Sequence, residues 1–270
     1  MRMRHNATDG ADPIDFVLLE GKFGSKPNVS DANQIRKWFR SVGKYAPWVK
    51  TVFFVSDGGW PKEAGEQPDG TVCVLPCDIL PESSTASENG HAIQVNLHRI
   101  QGIAEQFVVF TPDQVFSRPS SPKDWFRLGL PVDTALLGTA IATYRDFGDS
   151  YVALNEDSVI QRRFGGRRFV LARICKWLLP WNAGCKAAFW NAVFAIWGPC
   201  PGFRPVSSPV ALRKITMEDV WSVESELLLE TTMRSKSDMK DLSIRLFRVW
   251  QFATGSFTPS PPSFVARRTA

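Results

Sequence analysis

Two carboxylates follow directly on runs of large apolar residues, and chemistry is first expected at these two points. Asp57 lies in SDGG after the run TVFFV, and Asp113 lies in TPDQ after the run FVVF. Because ligands bind beyond the carboxyl ends of strands in open parallel sheets, both positions predict a ligand site. The alternative is a purely structural role, since Asp is a common turn residue next to Gly and Pro.

The chain has only three histidines, so few side chains can exchange protons near neutral pH. His91 lies two residues after Asn89, at the end of a polar loop that precedes a helical pattern. It is the acid–base candidate, and a solvated or helix-capping histidine is the alternative. His98 and Arg99, further along the same helix, fit a buried or interface pair better than a site.

Strand and helix patterns alternate around these residues. Apolar runs at 14–21, 51–59, 71–80 and 107–110 are typical of buried strands. Helical spacing is present between them, at 30–49 and 91–100. This alternation predicts an α/β fold with a Rossmann-like, mostly parallel sheet. After residue 150 the pattern becomes mainly helical, at 156–164, 167–179, 186–197, 216–229 and 237–253.

The pattern predicts one domain over residues 14–255. With 270 residues the chain is long enough to bury a large core without disulfides or metals to stabilise it. Residues 1–13 are polar and are expected to be disordered, with no apolar segment typical of a signal peptide. The Pro/Ser-rich tail at 256–270 is also expected to be disordered.

Net charge and cysteine content narrow the class of protein only slightly. The formal charge is +5, which a solvated basic surface explains; an anionic ligand, polymer or membrane surface is the alternative. The chain shows no basic run interleaved with aromatics that would indicate nucleic-acid binding. Five cysteines are an odd number, and Cys73 and Cys77 are predicted to be buried strand thiols, which fits a reducing compartment.

The stretch 177–198 is the most apolar part of the chain. Polar residues and Pro180 interrupt it, and its uninterrupted part is too short to span a bilayer. We predict a buried helix here. An interfacial helix is the alternative, with Trp177, Trp181, Trp190 and Trp197 at the depth of the lipid headgroups.

Six short motifs resemble, in order and at similar spacing, those of the Stealth family of sugar-1-phosphate transferases. That family includes bacterial capsular polysaccharide phosphotransferases and the catalytic subunit of the lysosomal-enzyme GlcNAc-1-phosphotransferase. The resemblance extends from Ile14 to about Gly255. The motifs are NQIR with APWV at 33–49, FFVSDGGWP at 53–61, NGHAIQVNLHRI at 89–100, QFVVFTPDQVF at 106–116, Gly202-Phe203 with the segment that follows, and Arg234-Ser235-x-x-Asp238.

The resemblance implies a nucleotide-diphospho-sugar transferase-like fold with a helical C-terminal half. It implies transfer of a hexose 1-phosphate from a nucleotide-sugar, expected to be a UDP-sugar, to a glycan hydroxyl in cell-surface polysaccharide synthesis. It also assigns residues: Asp113 to a divalent cation (Mg²⁺ or Mn²⁺), Arg234 to the phosphates, Asp238 to Arg234 or the cation, His91 to proton transfer, and Arg36, Asp57 and Asn89 to substrate. The alternatives are a helix start at Ser237-Asp238 with Arg234 solvated, and a surface role for Arg36.

Several family positions are changed in this chain. Thr111-Pro112 replaces the first two residues of the motif NDD, Gln94 replaces a glutamate, and Ser207 replaces a histidine. The first motif, at 14–21, lacks the family's Trp and Asp-Gly. A catalytically inactive binding protein and an ordinary glycosyltransferase are therefore alternatives. We expect a cytoplasmic protein, with peripheral association at the inner face of the membrane as an option.

Overall fold

The computed structural model describes residues 12–20, 29–84, 88–138, 147–165, 174–178, 184–196, 202–204, 209–261 and 266–268. Ten strands are assigned within these ranges. They are β1 (Ile14–Leu19), β2 (Val52–Val55), β3 (Thr71–Val74), β4 (Gln106–Phe110), β5 (Gln114–Phe116), β6 (Phe126–Arg127), β7 (Leu130–Asp133), β8 (Val210–Arg213), β9 (Thr258–Pro259) and β10 (Ala266–Arg268).

Nine α-helices accompany the strands in the same ranges, with three short 3-10 helices at Lys62–Ala64, Leu97–Arg99 and Pro122–Asp124. The α-helices are α1 (Val29–Tyr45), α2 (Pro76–Ile79), α3 (Gly90–Val95), α4 (Phe147–Phe164), α5 (Ile174–Trp177), α6 (Cys185–Ile196), α7 (Lys214–Val223), α8 (Ser225–Met233) and α9 (Arg245–Thr254). Described helices therefore dominate after residue 140, as the helical spacing predicted.

A five-stranded sheet of order β3-β2-β1-β4-β8 forms the centre of the fold. Neighbouring strands are parallel from β3 to β4, and β8 runs antiparallel to β4. The chain moves outward from β1 to β2 and β3, then returns to the other side of β1 as β4. In open α/β sheets, ligands bind beyond the carboxyl ends of the strands at such a reversal, which here lies between β1 and β4. The predicted α/β, mostly parallel architecture is confirmed.

Alternation along the strands divides the core into two layers. Phe16 and Leu18 of β1 face a cluster under α1 that includes Trp38, while Val17 and Leu19 face the cluster formed with the C-terminal helices. Successive side chains of a strand point to opposite faces, so a strand buried on both faces must be apolar throughout. This explains why β1, β2 and β4 are apolar apart from Asp15 and Gln106.

Several predicted element boundaries differ from the structure, and three of them have a clear cause. The strand predicted at 71–80 ends at Val74, because Pro76 begins helix α2. The helix predicted at 216–229 is divided at Glu224 into α7 and α8. The helix predicted at 237–253 begins only at Arg245, because residues 234–241 form a loop around the carboxylate of Asp241.

The C-terminal segment was predicted to be disordered, and this prediction is wrong for its described residues. Phe257 is fully buried, β9 pairs with β7, and β10 pairs antiparallel with β5 in the register Arg268 to Gln114. Proline is compatible with such short edge pairings, since an edge strand can lack one N–H donor. The N-terminal prediction concerns residues that lie mostly outside the described ranges.

Two further predictions are corrected. Cys73 is half-buried and Cys77 is exposed, because β3 is an edge strand and Cys77 lies on α2 beyond its end. Within 177–198, the described residues are only partly buried: Trp177 is inaccessible, while Trp190 on α6 is 43% exposed. Trp181 and Trp197 lie outside the described residues. Among the described helices, none has the length and apolar character needed to cross a membrane.

Candidate active site

The carboxyl ends of β1, β2 and β4 lie side by side. Leu19 pairs with Val55, and Leu18 pairs with Phe110, so the residues that follow these strands share one edge of the sheet. Asp57 and Asp113 are therefore at the same edge, as their strand-end positions predicted. Glu20, the residue after β1, lies between them at the point where the strand order reverses.

Glu20 is a buried carboxylate that the sequence reasoning did not select. It is 7% exposed, and its Oε2 accepts a hydrogen bond from the N–H of Asp57 at 3.2 Å. Burial is the main cause that raises the pKa of Glu20 to about 7; the backbone bond opposes this, and the charges of Asp57 and Asp31 add to it. A glutamate at the end of a fully apolar strand is the sequence signal that could have identified it.

The turn after β4 shows how the FVVF strand ends. Pro112 is buried and has no N–H to continue the ladder, while Gln114 closes the turn with two hydrogen bonds to Thr111. The hydroxyl of Thr111 donates to Oδ1 of Asp113. Asp113 therefore makes the hydrogen bond within the turn that a purely structural role would require. It also lies at the carboxyl end of β4, where a ligand is expected.

A second cluster forms where α3 meets the loop after α8. Asn89 caps α3, with its Oδ1 accepting from the N–H groups of His91 at 3.0 Å and Ala92 at 3.4 Å. Its Nδ2 lies within hydrogen-bond distance of carbonyl oxygens of the second segment, including that of Arg234 at 3.2 Å. Asn89 is fully buried. It therefore holds together two segments that lie more than 140 residues apart in sequence.

The carboxylate of Asp241 lies at the centre of this cluster and is fully buried. It accepts from the Arg234 guanidinium at 2.8 Å, the Asp238 N–H at 2.9 Å and the Asn89 amide at 3.1 Å, and lies 3.3 Å from His91 Nδ1. Burial alone would raise the pKa of Asp241. The hydrogen bonds outweigh burial and hold the pKa below its ordinary value.

Three of the predicted site residues, Asn89, His91 and Arg234, are thus brought together. The motif match proposed Asp238 as the partner of Arg234, but that partner is Asp241, with Glu230 as a second contact at 3.2 Å. Asp238 instead accepts the N–H of Lys240. Asp241 was missed because it lies seven residues after Arg234, and only the folded loop brings the two together.

The contacts of Arg36, His98 and Arg99 are with other parts of the fold. Arg36 donates to the carbonyl oxygens of Glu63 and Ala64, which attaches α1 to the 3-10 helix after β2. His98 is buried, and burial lowers its pKa to about 4, so it is neutral near pH 7. The guanidinium of Arg99 stacks on Trp221. His98 is buried as predicted, but Arg99 is exposed, so the prediction of a buried pair is wrong for Arg99.

An ion-pair network joins the start of α9 to α4, close in sequence to Asp241. Arg245, at the start of α9, binds Glu156 at 2.8 Å and Asp157 at 2.9 Å on α4. Gln94, which replaces a family glutamate, accepts the N–H of Ile244 at 3.2 Å. Burial raises the pKa of Asp157 to about 6, against the effect of Arg245. Ser207 lies outside the described residues.

The edge carboxylates have the ligand chemistry that the predicted cation prefers. Mg²⁺ and Mn²⁺ favour carboxylate oxygens, and Mg²⁺ is usually held by one or two of them together with substrate phosphates. Asp113, Asp57 and Glu20 are oxygen ligands of this kind. Within the described residues, no group of three or more His, Cys, Asp or Glu side chains is arranged to hold a metal ion. A cation bound here would therefore also need oxygen ligands from the substrate phosphates.

Comparison with known proteins points to one family. Residues 28–133, which include Asn89, His91 and Asp113, match the model of Stealth protein CR2, conserved region 2. The chain is 28% identical to an exopolysaccharide phosphotransferase of Lactiplantibacillus plantarum, over 97% of this chain and 81% of that protein. A receptor polysaccharide phosphotransferase of Streptococcus oralis is 26% identical, and a capsular polysaccharide phosphotransferase of Streptococcus pneumoniae is 27% identical, each over 94% of this chain and 78% of the relative.

Proposed function

Because the chain belongs to the Stealth family, we propose that it transfers a sugar 1-phosphate from a nucleotide-sugar to a glycan hydroxyl in the synthesis of a capsular or other cell-surface polysaccharide. One observation carries the proposal. His91 and Arg234, an acid–base group and a phosphate-binding group from distant segments, meet at the buried carboxylate of Asp241. Such an arrangement suits phosphoryl transfer, where positioning and charge neutralisation provide most of the catalysis.

In the proposed reaction, the acceptor hydroxyl oxygen attacks the phosphorus that carries the sugar. The bond from that phosphorus to the oxygen bridging the two phosphates breaks, and a nucleoside monophosphate leaves. The hydroxyl proton passes to His91. Nδ1 of His91 lies 3.3 Å from the carboxylate of Asp241, which is ionised and can only accept a hydrogen bond. We therefore assign the ring hydrogen to Nδ1 and the role of base to Nε2.

Arg234 is the proposed contact to the donor phosphates. Its guanidinium is 26% exposed, so one side can face a ligand while the other binds Asp241 and Glu230. Arginine presents several donors in a rigid plane, which suits two phosphate oxygens at once. Asn89 has its polar atoms engaged within the fold, and we assign it the role of positioning His91 and Arg234.

The sheet edge supplies the proposed donor and cation contacts. We assign both clusters to the same end of the sheet, because Asn89 caps the start of α3 and the chain then runs back to the amino end of β4. Asp113 would hold Mg²⁺ or Mn²⁺, which would neutralise the diphosphate charge when bound. Asp57 follows β2, where an acidic residue commonly binds a ribose hydroxyl in Rossmann-like folds.

The donor is proposed to be a UDP-sugar and the place of action the cytoplasm. The described cysteines Cys73, Cys77 and Cys185 are free thiols, which fits a reducing compartment. Peripheral association with the inner face of the membrane is part of the same proposal.

Product analysis tests the function. The protein would be incubated with single UDP-sugars, Mg²⁺ or Mn²⁺ and an acceptor glycan, and the nucleotide product separated by ion exchange. Release of UMP with a new phosphodiester on the glycan is the expected result. UDP would show that only the sugar is transferred, and binding without either product would show an inactive protein. His91→Gln keeps a polar side chain and should lower UMP release by about 10²–10⁴-fold.

A further inference from the structure

Helix α6 presents two aromatic side chains to solvent. Phe189 is 62% exposed and Trp190 is 43% exposed, with their ring centroids 5.6 Å apart. At about 100° per residue, the exposed Lys186 lies between them on the same face. Large exposed apolar groups that lie together on a surface usually mark an interaction site.

This outward orientation is fixed by the opposite side of the helix. Asn191 is fully buried, its Nδ2 donates to the carbonyls of Ala135 at 3.0 Å and Trp177 at 2.9 Å, and its Oδ1 accepts from Leu137 at 2.7 Å. Rotating α6 to bury Phe189 would break these bonds and leave buried polar groups unsatisfied. The exposed aromatic face therefore follows from how α6 is anchored.

The charge of the surrounding sequence shows what could cover this face. Residues 158–217 contain ten lysines and arginines and no aspartate or glutamate, in a chain whose net charge is only +5. Carboxylates from outside the segment pair with three of them: Glu224 with Arg162 and Arg163, and Glu105 with Arg213. Lys186 on α6 and Arg204 are exposed parts of this segment. An anionic surface complements such a segment, and aromatic rings together with lysines are the side chains that favour the interface between lipid and water.

We infer that the face of α6 formed by Lys186, Phe189 and Trp190 docks on an anionic lipid bilayer. The helix has 12 residues and is about 18 Å long, well below the roughly 30 Å of a hydrocarbon core, so it lies along the surface. A nucleic-acid duplex or an acidic polysaccharide would use the positive charge but offers no apolar interior in which to bury Phe189 and Trp190. The inference rests on the peripheral membrane association in the proposed function and deepens it by naming the docking face and the lipid charge. Docking itself requires no substrate, so vesicle binding can fail while UMP release persists.

Vesicle co-sedimentation tests the docking face. The full chain should bind vesicles of phosphatidylcholine with about one-third phosphatidylglycerol and bind pure phosphatidylcholine vesicles weakly, and salt should reduce the binding. The double variant Phe189→Ser/Trp190→Ser should lose at least about tenfold in partition coefficient, since it removes the two aromatic groups that the bilayer would bury. Leu229→Ser is the matched control, because Leu229 is 48% exposed on α8 and should leave binding unchanged.

Two exposed cysteines allow a second test without any substitution. Cys185 lies beside Phe189 on the proposed face, and Cys77 lies on α2. Anionic vesicles should slow the alkylation of Cys185 by iodoacetamide and leave the alkylation of Cys77 unchanged. Peptide mass spectrometry measures both rates. Equal binding by the double variant would overturn the inference. So would an unprotected Cys185, or protection that depends on protein concentration without vesicles, which would indicate self-association.

Discussion

Asp241 accepts or shares hydrogen bonds with four groups, and its buried charge depends on all of them. A buried carboxylate is costly unless it is paired, and here Arg234 and three further donors supply the compensation. The same contacts set the orientation of His91 and of the guanidinium. The proposed catalytic geometry and the local stability therefore rest on one side chain.

Substitution of Asp241 by asparagine should reduce both activity and stability. The buried amide would place a donor near Arg234 or His91, and losing the charge should cost about 3–5 kcal/mol of folding free energy. UMP release should fall by at least about 10²-fold, within the range of a displaced acid–base group. Asp238→Asn is the matched control, and an equal loss there would contradict the assignment of Asp241 as the partner. Denaturant unfolding and product assays measure the two effects.

Arg234 should require its planar side chain and not only its charge. Arg234→Lys should weaken nucleotide-sugar binding nearly as much as Arg234→Ala, by roughly ten- to 150-fold, the value of a charge-assisted contact of about 1.5–3 kcal/mol. Arg213→Ala is the control, because Arg213 lies beside Gln106 at the amino end of β4, the end opposite to the carboxylates. Calorimetric titration decides the matter. Binding by Arg234→Lys equal to that of the parent would show that only a diffuse positive charge is needed.

Asp113 should matter more for ligand binding than for folding. Asp113→Asn retains a turn side chain that can accept from Thr111, so the melting temperature should stay within a few degrees. Metal-dependent nucleotide-sugar binding should weaken at the same time. Thr111→Val is the comparison, since it removes the turn contact and keeps the carboxylate. A large loss of stability with unchanged binding in Asp113→Asn would assign this residue to the turn alone.

At the scale of elements, close packing between α4 and the Gly202-Phe203 segment supports the position of α9. Gly202 has a positive φ of 101°, and a Cβ there would collide with the carboxylate of Asp157. Oδ2 of Asp157 accepts the N–H of Phe203 at 3.2 Å, and Oδ1 binds Arg245. The Gly-Phe pair quoted as a family motif is therefore a packing requirement, whatever else it contributes.

Gly202→Ala should destabilise the protein by about 2–4 kcal/mol, because backbone strain and a buried collision add together. Gly102→Ala is a matched control. Gly102 also has a positive φ, of 81°, but nothing lies within 4 Å of the place that a Cβ would occupy, so only strain of about 1 kcal/mol remains. Urea unfolding of both variants separates the two contributions. Equal losses would show that Asp157 moves aside without cost.

At the scale of the whole molecule, the buried acids couple stability to pH. Glu20 has an ordinary pKa of 4.5 and a folded value of about 7, so the folded state binds a proton more tightly than the unfolded chain does. Its contribution to stability is fully present below pH 4.5 and is lost as pH rises through 7. Asp157 acts in the same direction between its ordinary pKa of 3.8 and about 6.

Glu20→Gln should therefore stabilise the protein at pH 8 and have little effect at pH 4.5. The gain at pH 8 should be on the order of 1–3 kcal/mol, since the amide avoids burying a charge. Thermal unfolding of parent and variant across this pH range is the measurement. A gain that does not depend on pH would show that the carboxylate is not the cause. Glu105→Gln, at an exposed position, is the control.

The sequence alone determined the sheet and much of the site's composition. Short apolar runs such as IDFVLL and FVVF favour strands buried on both faces, and their alternation with helical patterns favours parallel pairing. Short motifs also indicated the family that the comparisons found, and they selected Asn89, His91 and Arg234, which the fold brings together. These signals are local, because they depend on residues within about ten positions of one another.

Only the tertiary structure decided which groups meet. Asp241 joins Arg234 and His91 across a separation of 150 residues, and its loop replaces the first turns of the helix that periodicity predicted. The pKa of Glu20 likewise depends on burial and on Asp57, which comes from a neighbouring strand. Burial and long-range pairing are properties of the packed chain, so spacing along the sequence could not supply them.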